Sequence, residues 1–86
     1  MAGQRKISVG LVQMFAAPKP QENLDRGLAK VEEAARKGAQ VICLPELFKS
    51  QYFCQTEDPK MFDLAENVPG PTTDAFGALA RKLGIV

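Results

Sequence analysis

The sequence predicts an α/β fold that opens strand–helix–strand, and three observations carry that prediction. Residues 6–15 read as a strand with apolar side chains on both faces, Ile7, Val9 and Leu11 against Val12 and Met14. Residues 21–37 read as an amphipathic helix. Residues 41–44 form an unbroken apolar run, Val41-Ile42-Cys43-Leu44, which suits a short strand covered on both faces. A connection of this kind is a right-handed crossover in nearly all cases, so the two strands are expected to lie parallel.

Each element has its own warrant. The first strand runs into Ala16-Ala17-Pro18-Lys19-Pro20, where two prolines in three residues forbid regular pairing. In the helix, Leu24, Leu28, Val31 and Ala35 fall on one face, and Glu22, Asp25, Arg26, Glu32, Glu33, Arg36 and Lys37 belong to the other. Its acids lie toward the start and its bases toward the end, matching the helix dipole. Gly27 is expected to weaken the helix interior by about 1 kcal/mol relative to alanine. Gly38 is placed to end the helix as its C′ residue. Pro45 cannot donate to a ladder, so the second strand stops there, with Cys43 inside it as a small core residue.

Residues 47–59 read as a loop, rich in aromatics for a connection, with Phe48, Tyr52 and Phe53. Residues 60–65 suggest a helical turn, and Val68-Pro69-Gly70-Pro71 a tight turn. Thr72 or Thr73 is expected to cap a helix over 74–83 that Gly84 ends, after which Ile85-Val86 opens another strand. Two strands and a stub leave faces and edges of a parallel sheet uncovered. Residues 1–86 are therefore expected to be the N-terminal part of a larger α/β domain, an incomplete domain by themselves. Such a chain is expected to fold poorly alone, or to lean on a partner or on self-association.

Composition narrows the function classes. The 86 residues are 45% hydrophobic and 24% charged with a formal net charge of +1, an ordinary globular balance. Near-neutral charge gives no electrostatic case for nucleic acid or for an anionic membrane. No apolar stretch approaches the roughly 20 residues that span a bilayer, and no apolar signal-peptide region follows Arg5-Lys6. The expected location is cytoplasmic. Two cysteines are too few for a disulfide scaffold. The absence of histidine removes Ser-His and Cys-His dyads and most zinc sites from these residues. No Gly-rich phosphate loop is present, and no cofactor is expected.

Glu46 is the leading candidate for chemistry. It sits just past the carboxyl end of a parallel strand, where open α/β sheets bind ligands. A carboxylate beside an apolar wall loses hydration, which raises its pKa above about 4.3 and suits it to act as a general base near neutral pH. The same position also fits a solvated loop acid or an acid at a helix N-terminus. Tyr52 and Phe53 either line a substrate pocket or anchor the loop onto the body of the domain. Lys49 and Lys60 read as surface charges.

Val41-Ile42-Cys43-Leu44-Pro45-Glu46-Leu47-Phe48 closely resembles the first catalytic segment of the nitrilase, or carbon–nitrogen hydrolase, superfamily. Ile7-Ser8-Val9-Gly10-Leu11-Val12-Gln13-Met14 is similar to that family's first strand. Asn23-Leu24 and Val68-Pro69-Gly70-Pro71-Thr72-Thr73 also fit, so the resemblance covers essentially the whole chain in order. Phe48-Lys49-Ser50-Gln51-Tyr52-Phe53-Cys54-Gln55 looks most like the N-carbamoylputrescine amidases.

The resemblance implies a four-layer αββα sandwich, of which this chain supplies the βαβ(α) opening. It implies a Glu-Lys-Cys triad that needs no metal or organic cofactor. Glu46 would take the thiol proton, a cysteine would attack the carbonyl or nitrile carbon, and a lysine would stabilise the oxyanion. A thioester then forms and water releases the acid. A thiol of pKa about 8.5 is mostly protonated at neutral pH, so a nearby base serves its attack. The implied partner is a small-molecule amide or carbamoyl amine, and the intact protein is expected to be a homo-oligomer. Only Glu46 carries over from the triad, and Cys54 falls in the loop after it as a loop or pocket-wall thiol. Two other readings remain open: a truncated, non-catalytic fragment or interaction module, and a small α/β binding module in which Glu46 contacts a ligand amine.

Overall fold

The computed structural model describes residues 5–52 and 58–86. Strand β1 is Val9–Leu11, helix α1 is Pro20–Arg36 and strand β2 is Val41–Cys43. A 3₁₀ helix, Pro59–Leu64, and helix α2, Pro71–Leu83, follow. β1 and β2 pair in parallel, with Val9 opposite Val41, Gly10 opposite Ile42 and Leu11 opposite Cys43. The expected strand–helix–strand unit is therefore present.

β1 is shorter than the 6–15 expected of it, because a ladder lasts only as long as its partner. β2 ends ahead of Pro45, and the last bond upward runs from Val12 N–H to the Cys43 carbonyl at 2.9 Å. At the other end Gln40 closes the ladder. Its N–H donates to the Ser8 carbonyl at 2.8 Å, and its side-chain carbonyl accepts from Ser8 N–H at 3.1 Å. The far edge of β2 is joined by Val86, which accepts from Ile42 N–H at 2.8 Å and donates to the Gln40 carbonyl at 2.9 Å. The apolar residues at 85–86, expected to open another strand, thus lie hydrogen-bonded along the outer edge of β2.

One face of the sheet lies under α1. Gly10 permits the close approach: a Cβ there would meet the Ala39 and Ala34 methyls at 3.0 and 3.2 Å. The opposite face is bare. Val9 is 54% exposed and Leu11 79%. Cys43 was expected in the core, yet it is exposed. It stands opposite Leu11 in register, so both side chains leave the sheet on the same uncovered side.

α1 begins at Pro20, at the helix position where a missing N–H costs nothing. It ends as expected, with Gly38 at φ 99° just past the C-cap Lys37. Its buried residues are Asn23, Leu24, Gly27 and Val31. The apolar stripe expected from the spacing is therefore joined by an amide and a glycine. A Cβ at Gly27 would lie 3.2 Å from the Phe76 ring and 3.3 Å from the Phe48 ring. Those two rings pack edge to face, 5.4 Å apart. The supposed weak point of the helix is the seat on which α2 and the loop after β2 rest.

α2 starts at Pro71, ahead of the expected 74, and its N-cap is Gly70. The Thr73 hydroxyl accepts from Gly70 N–H at 2.6 Å. A Cβ at Gly70 would collide with the Asn67 carbonyl oxygen, so this extended corner has no room for a side chain. Gly84, at φ 66°, ends the helix as expected. No helix among the described residues is long and apolar enough to cross a membrane.

Candidate active site

Glu46 lies three residues past the end of β2, after Leu44 and Pro45, and opens a turn over 46–49. Leu47, next to it, has φ 54°, in the left-handed region that non-glycine residues visit rarely. The turn faces a cleft of about 390 Å³. Met14 and Ala16 wall it from the β1 side; Pro45, Phe48, Gln51 and Tyr52 wall it from the loop, with Glu46 among them. Tyr52 is 63% exposed in this cleft. Phe53 and Cys54 lie outside the described residues. Glu46 is itself exposed. The loss of hydration expected for it is not supplied by the described residues. A larger cleft, about 460 Å³, runs beneath α1 along β1 and includes Lys30, Glu33 and Lys37. It flanks a strand rather than lying beyond strand ends, where such sheets bind ligands.

The walls of the Glu46 cleft are tied together by a side chain that spacing alone did not single out. Asn23 is fully buried. Its side-chain oxygen accepts from Ala17 N–H at 2.6 Å. Its amide donates to the Ala17 carbonyl at 2.8 Å and to the Lys49 carbonyl at 2.9 Å. The neighbours of these two residues, Ala16 and Ser50, both line the cleft. Gln51 adds a weaker stitch, donating to the Ala16 carbonyl at 3.4 Å. Arg26 steadies the same connection: it donates to the Phe15 carbonyl at 3.1 Å and stands 4.5 Å from the Phe15 ring centre.

Lys49 is not the free surface charge expected from sequence. Its ammonium donates to Glu66 Oε2 at 2.8 Å and to Thr72 Oγ1 at 3.0 Å. Glu66 Oε1 accepts from Thr72 N–H at 3.0 Å. The Lys49 and Glu66 side chains are 29% and 25% exposed. The Lys49 hydrogen bond, followed by that of the Thr72 side chain, pulls the Glu66 carboxyl down from 4.5 to about 2. Thr72, expected as a possible helix cap, serves this cluster instead. Lys60 is exposed, as expected.

A parallel βαβ unit of this kind has a counterpart among known proteins. The carbon–nitrogen hydrolase family model matches residues 8–86, and the chain belongs to that family. It is 40% identical over 81 residues to omega-amidase NIT2 of Xenopus tropicalis, covering 93% of this chain and 28% of that protein. It is 38% identical over 82 residues to the N-carbamoylputrescine amidase of Oryza sativa subsp. japonica, covering 94% of this chain and 27% of the relative. A crystal structure of a carbon–nitrogen hydrolase from Helicobacter pylori superposes with a TM-score of 0.83 at 32% identity, over 93% of this chain and 28% of that one. The α/β arrangement is thus that of a segment of a carbon–nitrogen hydrolase. The chain spans a little over a quarter of the length of these relatives.

Proposed function

We propose that this chain, residues 1–86, is the N-terminal part of an amidase domain and carries its general base. Glu46 accepts the proton of a cysteine thiol supplied by residues beyond this segment. The thiolate attacks the carbonyl of an N-carbamoyl amine, and a lysine, also from beyond the segment, steadies the oxyanion. Collapse and hydrolysis of the thioester consume one water and yield amine, carbon dioxide and ammonia. The observation that carries the reading is the place of Glu46: past the carboxyl end of β2, in a cleft shared with Tyr52. Tyr52 offers a hydroxyl to the polar end of a substrate, and Phe53 is proposed from the sequence as a second substrate-binding residue. The chemistry calls for no metal or organic cofactor, and the working protein is read as a cytoplasmic homo-oligomer.

A second reading, omega-amide hydrolysis, is favoured by the 40% identity to omega-amidase NIT2. Ammonia release separates the two, with N-carbamoylputrescine and an omega-amide offered to the full-length protein that carries this sequence. Preference for the carbamoyl substrate supports the first reading. Glu46→Gln is expected to lower kcat by about 10²–10⁴-fold, the range for loss of a positioned base. Turnover that survives this substitution removes Glu46 from the chemistry. The 86 residues alone are expected to release no ammonia; release from them would show that the rest of the triad is not needed.

A further inference from the structure

We infer that Lys49 is a positioning residue for Glu46: Asn23 holds its carbonyl while Glu66 and Thr72 hold its ammonium, and this grip fixes the turn that presents the carboxylate. The inference rests on the reading of Glu46 as the base. The turn over 46–49 begins three residues past the last ladder pair, Leu11 with Cys43, and Pro45 limits the backbone just ahead of Glu46. Its far end is Lys49, whose backbone is held by Asn23 at 2.9 Å and whose side chain is held by Glu66 at 2.8 Å and Thr72 at 3.0 Å. Between the two ends, Leu47 sits at φ 54°. Such a backbone persists only where its surroundings over-determine it. Phe48, seated on Gly27 and Phe76, holds the middle of the turn, and Lys49 holds the exit.

The chemistry of the grip suits this task. Ammonium–carboxylate hydrogen bonds are stronger than neutral ones. The two side chains are partly covered, at 29% and 25% exposure. Both oxygens of Glu66 are in use, one on the Lys49 ammonium and one on the Thr72 N–H in the first turn of α2. The turn that bears Glu46 is therefore referenced to two helices: α1 through Asn23 and α2 through Thr72. The edge-to-face contact of Phe48 with Phe76 is a second described link between this turn and α2. A lysine needed only for charge at the surface would not be fixed at both ends.

The test uses the full-length protein carrying this sequence, with N-carbamoylputrescine as substrate. Lys49→Met is expected to lower kcat roughly tenfold through misplacement of the base, with KM within about twofold, in a protein that melts somewhat lower but stays folded at the assay temperature. Lys49→Arg keeps a cation for Glu66 and is expected to recover most of the rate. Lys49→Met combined with Glu66→Gln is expected to be no slower than Lys49→Met alone. Unchanged kcat in Lys49→Met overturns the inference. So does a loss of rate that only follows a loss of folded protein and that Lys49→Arg does not rescue. If Lys49→Met does not fold, Thr72→Val removes one partner of the ammonium and is read the same way, with a smaller drop. The carboxyl-carbon NMR resonance of Glu46 gives a readout apart from turnover. Its displacement in Lys49→Met supports positioning, and an unmoved resonance overturns it. Should Glu46→Gln leave turnover intact, the base reading fails, and the resonance still decides the structural claim.

Discussion

The two faces of the β1–β2 sheet differ in how they are completed. On one, Gly10 lets α1 settle to methyl contact, and Asn23 and Gly27 of that helix lock the flanking loops and rings in place. On the other, Val9 and Leu11 are 54% and 79% exposed, and Cys43 stands bare beside them. The sequence makes both faces apolar; the chain covers one. The covered side is where its packing is specific, and the strand-tip cleft is held from that side. The bare side is apolar surface of the kind that marks contact with another layer or chain.

The largest expected effect is at Asn23. Asn23→Ala strands the Ala17 N–H, the Ala17 carbonyl and the Lys49 carbonyl. It should destabilise by about 3–5 kcal/mol, given the cost of unmade buried hydrogen bonds. Urea unfolding reads this, and a change under about 0.5 kcal/mol, the range of an ordinary surface substitution, would break the claim that the covered side is the specific one. Gly27→Val comes next. It forces added atoms against Phe48 and Phe76, at about 1–3 kcal/mol for overpacking, visible in the same unfolding curves.

The Glu66 cluster predicts a pH dependence. The folded carboxyl is lowered to about 2 from 4.5. The unfolded state therefore takes up its proton first as pH falls. The stabilisation from this group is complete above about pH 4.5 and is lost as pH drops toward 2. Thermal melts through that window should fall more steeply for the wild type than for Glu66→Gln; equal slopes would remove the cluster as their cause.

The smallest effect is expected on the bare side. Leu11→Glu should change the stability of the 86-residue chain by less than about 0.5 kcal/mol, as for a surface site, while raising the concentration at which the chain stays monomeric. Sedimentation and unfolding together check this. A large cost in a longer protein, set against none here, would show that a further layer covers the face there.

Much of this fold was legible because it rests on period and punctuation. The apolar run ahead of Pro45, the helical spacing from Leu24 to Ala35, and Gly38 and Gly84 as helix stops all reappear near their expected places. Strand length was not legible, because it depends on the partner's length rather than on a strand's own pattern. The exposure of Cys43 was missed for a related reason: an apolar side chain is buried only if something lies above it. Asn23 did leave a signal, being four residues before Gly27 on the stripe that ends at Val31. An amide on a buried helical stripe needs partners, and they were to be sought in the adjoining loops. The Lys49–Glu66 pair left none, since residues 17 apart across a loop have no periodic relation.

Leu47 bears on how the site tolerates change. Glycine would relax its left-handed backbone without steric conflict, but it would also widen the range of poses open to the loop. Leucine makes a stiffer joint and a less comfortable one. Variation at this position therefore trades backbone comfort against constancy of aim, and leucine favours aim.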